Sequence, residues 1–360
     1  MSHRSLDDLS AYIIAGRVKA RRSEDSETAA RTPALGIEDA VEAERIGFRR
    51  IFLSERWNLK EAGALLGGAG ARTSRIGLAT GILTAASRHP LHAAALGSTM
   101  QAAFGPRFVL GLGRGDESFL GPSGLHAFGF RALADYADIV RRLWRGETVS
   151  YEGPAGCYPR IALGDLHDGP APEIWFGTFG LAKGAVIAAE AFDGVLLPPN
   201  LTPRATRASV DRIHQACARI GRDPASIRIA QCVITTPELS DTETRELAHG
   251  RAVTYLQVPG YGDTLVQMNG WDPTVRSRLV DHAQLRGNDV VADARFHRSE
   301  LLEPAKLVPD EWMIDSCAIG SVAECVASLR RFREAGADEI VTYGSTPGQN
   351  TRLAAAWAGR

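Results

Sequence analysis

The amino-acid sequence predicts an α/β protein of the (β/α)8-barrel class, and three observations carry that expectation. Eight short apolar runs, each too short for a helix, alternate with helix-patterned segments along the chain. Residues Phe108, Val109 and Leu110 form an apolar run of the kind a strand covered on both faces requires. The fourth run, Phe108–Gly113, carries glycines at 111 and 113 and is followed by Gly115, Asp116 and Glu117. Alternate glycines strip one face of a strand end of side chains, so the expectation is a bare platform against which a flat ligand lies.

The elements follow in order. Residues 11–16 form the first strand and 50–54 the second, which runs into Glu55, Arg56 and Trp57. Between them, the polar stretch 17–31 is a loop, and a helix spans 33–47, with Pro33 at its start and Gly47 as its stop. An alanine-rich helix covers 59–72, the third strand 76–83 and a further helix 90–104. Residues 130–144 are amphipathic, with Leu133, Tyr136, Ala137, Val140 and Trp144 on one face. Residues 149–163 make a hairpin-like excursion. The fifth strand is 173–177, with a helix beginning near Thr178 that Thr178 itself would cap. The sixth strand is 193–197, a helix spans 203–220, and the seventh strand is 227–235. From about 236 to 316 the rhythm breaks, which reads as an insertion between strands seven and eight. It resumes with a helix at 321–335, the eighth strand at 339–343 and a terminal helix. Length alone would permit two domains, but barrels of 360 residues fold as one unit, so 1–360 is read as a single domain.

Composition excludes several function classes. Lys and Arg number 41 against 42 acids, a net charge of -1, with nothing to favour nucleic acid or a membrane surface. Five scattered cysteines without C-x-x-C spacing point to reduced thiols in a cytoplasmic protein, with neither disulfides nor a metal site. There is no signal-peptide pattern, and no apolar run approaches the roughly 20 residues that span a bilayer.

In a barrel, the residues after the strands converge on one mouth. Strand two contributes Glu55 and Arg56, strand three Thr84, Arg88 and His89, and strand four Arg114, Asp116 and Glu117. The turn Gly177-Thr178-Phe179-Gly180-Leu181 opens a helix, whose free N–H groups suit a phosphate. Singly each residue has an ordinary structural explanation: an ion pair, a cap, a loop contact.

The segments 44–55 (ERIGFRRIFLSE), 74–83 (SRIGLATGIL), 88–90 (RHP), 107–115 (RFVLGLGRG), 318–324 (AIGSVAE) and 335–340 (AGADEI) resemble, in order and spacing, the luciferase-like monooxygenase superfamily, nearest its coenzyme F420-dependent oxidoreductases. The resemblance implies an enzyme that moves hydride between this deazaflavin and an organic substrate, and a homodimer. It implies a cis peptide at Gly81-Ile82, in a bulge that with Thr84 and Gly113 backs the ring. Arg114, Gly115 and Asp116 fall at the ring's polar edge, and Gly177, Thr178, Gly180 and Leu181 at the phosphate. Asp116 or Glu55 would handle a substrate proton, while Arg56 and Arg114 would stabilise an anion. Sugar-phosphate dehydrogenases of the family carry Asp-His where this chain has Glu55-Arg56. Arginine does not exchange protons near neutral pH, so that mechanism does not transfer and the substrate stays open. An FMN-dependent monooxygenase is the alternative enzyme, and a cofactor-binding protein without turnover is the alternative outside enzymes.

Overall fold

The computed structural model describes residues 6–15, 32–55, 60–288 and 291–359. The expected loop at 17–31, the strand end at Gly16, and Arg56 and Trp57 lie outside the described residues. Eight parallel strands close on themselves: β1 Leu9–Ile13, β2 Arg50–Leu53, β3 Gly77–Thr80, β4 Phe108–Gly113, β5 Glu173–Gly177, β6 Gly194–Leu197, β7 Arg228–Pro237 and β8 Glu339–Gly344. Each pairs with the next, and β8 returns to β1 through Leu9 opposite Ile340. The result is the expected (β/α)8 barrel.

The surrounding helices are α1 Pro33–Ile46, α2 Ala62–Arg72, α3 Pro90–Phe104, α4 Phe130–Trp144, α5 Ala182–Ala191, α6 Pro203–Arg219, α7 Val322–Glu334 and α8 Thr351–Ala358. Proline fixes the first turn of α1, α3 and α6. Thr32 and Thr202 cap α1 and α6 by accepting from Leu35 N and Ala205 N, and Gly47 ends α1 at φ 102°. On α4, Leu133, Tyr136, Ala137 and Val140 are buried, and Trp144 Nε1 donates to Ala94 O at 2.8 Å.

At the N-terminal end of the barrel, the fully buried Glu339 carboxylate is held by Ser10 Oγ at 2.5 Å, Arg50 Nε at 3.1 Å and Arg228 Nε at 2.6 Å. Residues 149–161 form an antiparallel hairpin. Between β7 and α7 the chain is helical, beginning with Asp241–Leu247, His249–Leu256 and Tyr261–Asn269, and a short strand Ala318–Gly320 pairs beside the end of β7. None of the five cysteines is bridged. Among the described residues, no helix is long and apolar enough to cross a membrane.

Candidate functional site

The mouth is shaped by a break in β3. Ala79 pairs with Val109 and Leu83 with Leu112, so four steps along β3 match three along β4. The surplus residue makes a bulge at Thr80–Ile82, and the Gly81–Ile82 peptide bond is cis, as the resemblance implied. Thr80 Oγ1 accepts from Gly111 N and donates to Gly111 O, both at 2.8 Å, replacing the ladder lost there. Gly81 N donates to Leu53 O at 2.9 Å, and the Tyr12 hydroxyl donates to Gly81 O. Glu55 N reaches Ile82 O at 3.4 Å. The bulge is thereby fastened to β1, β2 and β4.

This packing corrects the reason given for the glycines. A Cβ at Gly111 would stand 2.0 Å from Thr80 O, and one at Gly113 would stand 2.2 Å from Ile82 Cδ1. From the other side, a Cβ at Gly177 would stand 2.7 Å from Ile82 Cγ2. The glycines receive the bulge instead of leaving bare backbone, and Ile82 forms the floor over Gly113 and Gly177. At Gly115, φ is +80°, a conformation that favours glycine.

Beside this floor lies a buried polar cluster. The Glu55 side chain is wholly buried and bonds Arg88, which also bonds Glu61. Burial weakens the Arg88 cation, but the two carboxylates outweigh it and hold its pKa above the usual value. Glu55 Oε2 and the Tyr136 hydroxyl are buried without a hydrogen-bond partner. Burial pushes the Tyr136 phenol up, with Tyr158 adding to the effect. His89 caps α3, its Nδ1 accepting from Leu91 N at 3.2 Å, which makes the loop-holding role the observed one.

After β4, Arg114 lies 4.1 Å over the Phe130 ring, and burial lowers its pKa. Asp116 is exposed at the rim. Glu117 accepts from Ala127 N at 2.8 Å and contacts His126, so it organises the loop that follows. Thr84 O accepts from Ser87 Oγ.

After β5, the helix begins later than expected. Gly180 sits at φ +64°, which a helix excludes, so α5 starts at Ala182 with Leu181 as its N-cap. Thr178 does not cap it; its Oγ1 accepts from Gly180 N at 3.2 Å. Leu181 is 41% exposed and offers no side-chain cap, so the first-turn N–H groups of α5 receive no capping oxygen from it.

Sequence reasoning missed a run of aromatic side chains that begins at Tyr12. Tyr12 meets Tyr343 edge-on at 4.6 Å, and Tyr343 bonds Tyr255 through their hydroxyls at 2.8 Å. Tyr255 stacks on Tyr261 at 5.3 Å, and Tyr261 meets Phe179 at 4.7 Å. Tyr255 and Tyr261 come from the helical stretch after β7, where no periodicity marked them.

The luciferase-like monooxygenase family pattern matches residues 14–339. The chain is 23% identical over 317 residues to the 5,10-methylenetetrahydromethanopterin reductase of Methanolobus tindarius, covering 87% of this chain and 90% of that one. It is 32% identical over 179 residues to the F420-dependent glucose-6-phosphate dehydrogenase of Nakamurella multipartita, covering 46% and 52%. Among solved structures, the coenzyme F420-dependent tetrahydromethanopterin reductase of Methanopyrus kandleri superposes with a TM-score of 0.77 at 18% identity, covering 96% of each chain. An FMN-bound Baeyer–Villiger monooxygenase from Pseudomonas putida reaches 0.67 at 16%, covering 97% and 98%. The chain belongs to the luciferase-like monooxygenase family.

Proposed function

We propose that the protein is a coenzyme F420-dependent oxidoreductase that moves hydride between the deazaflavin ring and an organic substrate. The observation that carries this reading is the pairing, on one mouth, of an apolar floor at Ile82 with an uncapped helix start at Leu181. A flat ring with an anionic tail fits both. When bound, the cofactor supplies the hydride chemistry. Gly81, Ile82, Thr84 and Gly113 form the seat on which one face of the ring rests. Arg114, held over Phe130, and Gly115 stand at its polar edge. Gly177, Thr178, Gly180 and Leu181 shape the loop that presents the α5 N–H groups to a phosphate.

Asp116, exposed at the rim, handles the substrate proton. Glu55, buried, tied to Arg88 and with Oε2 unpaired, is the alternative group for that proton. Arg56 binds and orients an anionic group. The names of the relatives support F420, the cysteine pattern supports a cytoplasmic protein, and the family resemblance supports a homodimer, which light scattering on the purified protein checks. Fluorescence titration with coenzyme F420 and with FMN tests the central reading. F420 is expected to bind with at least tenfold preference, and tighter binding of FMN would overturn it.

A further inference from the structure

The residue that precedes the floor is held by a side chain from β1. Gly81 has no side chain of its own, and its N–H is committed to Leu53 O at 2.9 Å. Its carbonyl accepts from the Tyr12 hydroxyl. A Cβ at Gly81 would stand 3.1 Å from Tyr12 Cε2 and 2.9 Å from Phe52 Cβ, so the bulge lies close against the phenol ring. The chain then runs directly into Ile82, which Gly113 and Gly177 flank from two sides. Those glycines confine Ile82 sideways, while the bond at Gly81 O fixes how far it stands from β1.

Tyr12 is itself firmly placed. Its one proton goes to Gly81 O, so in the hydrogen bond that it shares with Ser54 the serine donates. Its ring is buried and meets the Tyr343 ring edge-on at 4.6 Å. Burial pushes the phenol well above its usual range, against the weaker pull of Ser54 and Arg251, so the hydroxyl keeps its proton and goes on donating near neutral pH. Tyr343 supplies a comparison in the same run of rings. It is buried too, but its hydroxyl bonds Tyr255 at 2.8 Å instead of the bulge.

We propose that Tyr12 is a positioning residue for the cofactor: by donating to Gly81 O it sets the height of the Ile82 floor, and with it the seat of the ring. The inference rests on the flavin-type site proposed above. Without the hydroxyl, Gly81 O is left without that donor, and the bulge is free to shift and carry Ile82 with it. Tyr12→Phe removes the hydroxyl and keeps the ring, and Tyr343→Phe makes the same change one ring away. Thermal melting without cofactor, fluorescence titration with F420 and with FMN, and the absorption spectrum of the bound cofactor are measured for both. The titrations are repeated in Ile82→Ala alone and combined with Tyr12→Phe. The two phenylalanine variants are expected to melt a few degrees below the wild type by similar amounts, since each strands one buried partner. Tyr12→Phe alone should lose about tenfold in affinity for whichever cofactor the wild type binds, and shift its absorption band. In the Ile82→Ala background, Tyr12→Phe should cost less than about twofold, because the side chain that it positions is gone. Affinity within about twofold of wild type in Tyr12→Phe, or an unshifted band, overturns the inference. So does a tenfold loss that persists without the Ile82 side chain, and so does an equal loss in Tyr343→Phe. A Tyr12→Phe protein that melts far below Tyr343→Phe overturns it as well, since the bond would then serve the barrel itself. Failure of the wild-type protein to bind either cofactor overturns the proposed function instead.

Discussion

The floor at Ile82 can be tested by filling the space that Gly113 leaves for it. A Cβ at 113 would stand 2.2 Å from Ile82 Cδ1 and 3.0 Å from Cγ1, and on the opposite side a Cβ at 177 would stand 2.7 Å from Cγ2. A single methyl can be met by turning the outer end of Ile82. Alanine also lowers the entropy of the unfolded chain by about 0.4–1 kcal/mol. Gly113→Ala is therefore expected to change stability by less than about 1 kcal/mol. Valine adds branches that turning Ile82 cannot clear, and overpacking of this kind costs about 1–3 kcal/mol. Unfolding entropy for 360 residues is about 0.8 kcal/mol per degree, so Gly113→Val should lower Tm by about 1–4 °C. It should also lose most F420 binding, because Ile82 is driven up into the ring's seat. The decisive assay is a double-mutant cycle with Ile82→Ala, read by urea unfolding. Removing the struck atoms should make the double variant about 1–3 kcal/mol more stable than the two single effects predict. Strictly additive effects, or wild-type F420 affinity in Gly113→Val, would refute the assignment of Ile82 as the floor.

Three further outcomes follow from the same geometry. Leu181→Asp supplies α5 with the side-chain cap it lacks, so the cofactor-free protein should gain about 0.5–2 kcal/mol in urea unfolding while F420 affinity falls at least tenfold, since the new carboxylate occupies the N–H groups and repels phosphate. Asp116→Asn should lower kcat by about a hundred- to ten-thousand-fold and leave F420 affinity within a few-fold, measured by steady-state kinetics with the first accepted substrate. Burial is the largest influence on His249 and lowers its pKa, against the opposing bond from Asp310 at 2.7 Å. The unfolded chain then binds the proton more readily, so this contribution to stability is complete above pH 6.5 and is lost as pH falls toward the folded value; His249→Gln should flatten that part of the stability profile, and an unchanged profile would contradict it.

What could be read from the sequence was local. The starts of α1, α3 and α6 are visible because proline and its preceding cap act within one turn. The β3 bulge was expected only through family resemblance, since nothing in the composition of 76–83 announces it. The glycine pattern marks a close approach, but of the β3 bulge rather than of a ligand. Whether a bare strand face receives a ligand or a neighbouring side chain is settled by a residue 31 positions away, Ile82, that no spacing rule links to Gly113. Thr178 was misread as a cap because Gly180 passes for a residue of the helix's first turn until its φ of +64° is known. Tyr255 and Tyr261 reach the mouth through an irregular helical stretch, where aromatic residues look like ordinary core.

Glu55 and Glu339 make a closing comparison between the two ends of the barrel. Both carboxylates are fully buried and both face arginine. At the N-terminal end, each oxygen of Glu339 is engaged, Oε1 by Ser10 and Arg50 and Oε2 by Arg228. At the mouth, Glu55 commits Oε1 to Arg88 and leaves Oε2 without a partner. Arg88 keeps a second carboxylate in Glu61, whereas the arginines around Glu339 converge on that one group. Removing charge should therefore have opposite consequences. Glu339→Gln leaves the buried Arg50 and the half-buried Arg49 and Arg228 uncompensated and should cost about 3–5 kcal/mol in urea unfolding, with F420 affinity unchanged in the folded protein. Glu55→Gln relieves a buried, half-satisfied charge while Arg88 retains Glu61, and should cost less than about 1 kcal/mol. Its effect should appear in turnover, because the group free to meet a ligand has changed from an acceptor that can take a proton to an amide that cannot. Equal stability losses in the two variants, or full turnover in Glu55→Gln, would show that Glu55 serves the barrel as Glu339 does and has no part in the chemistry.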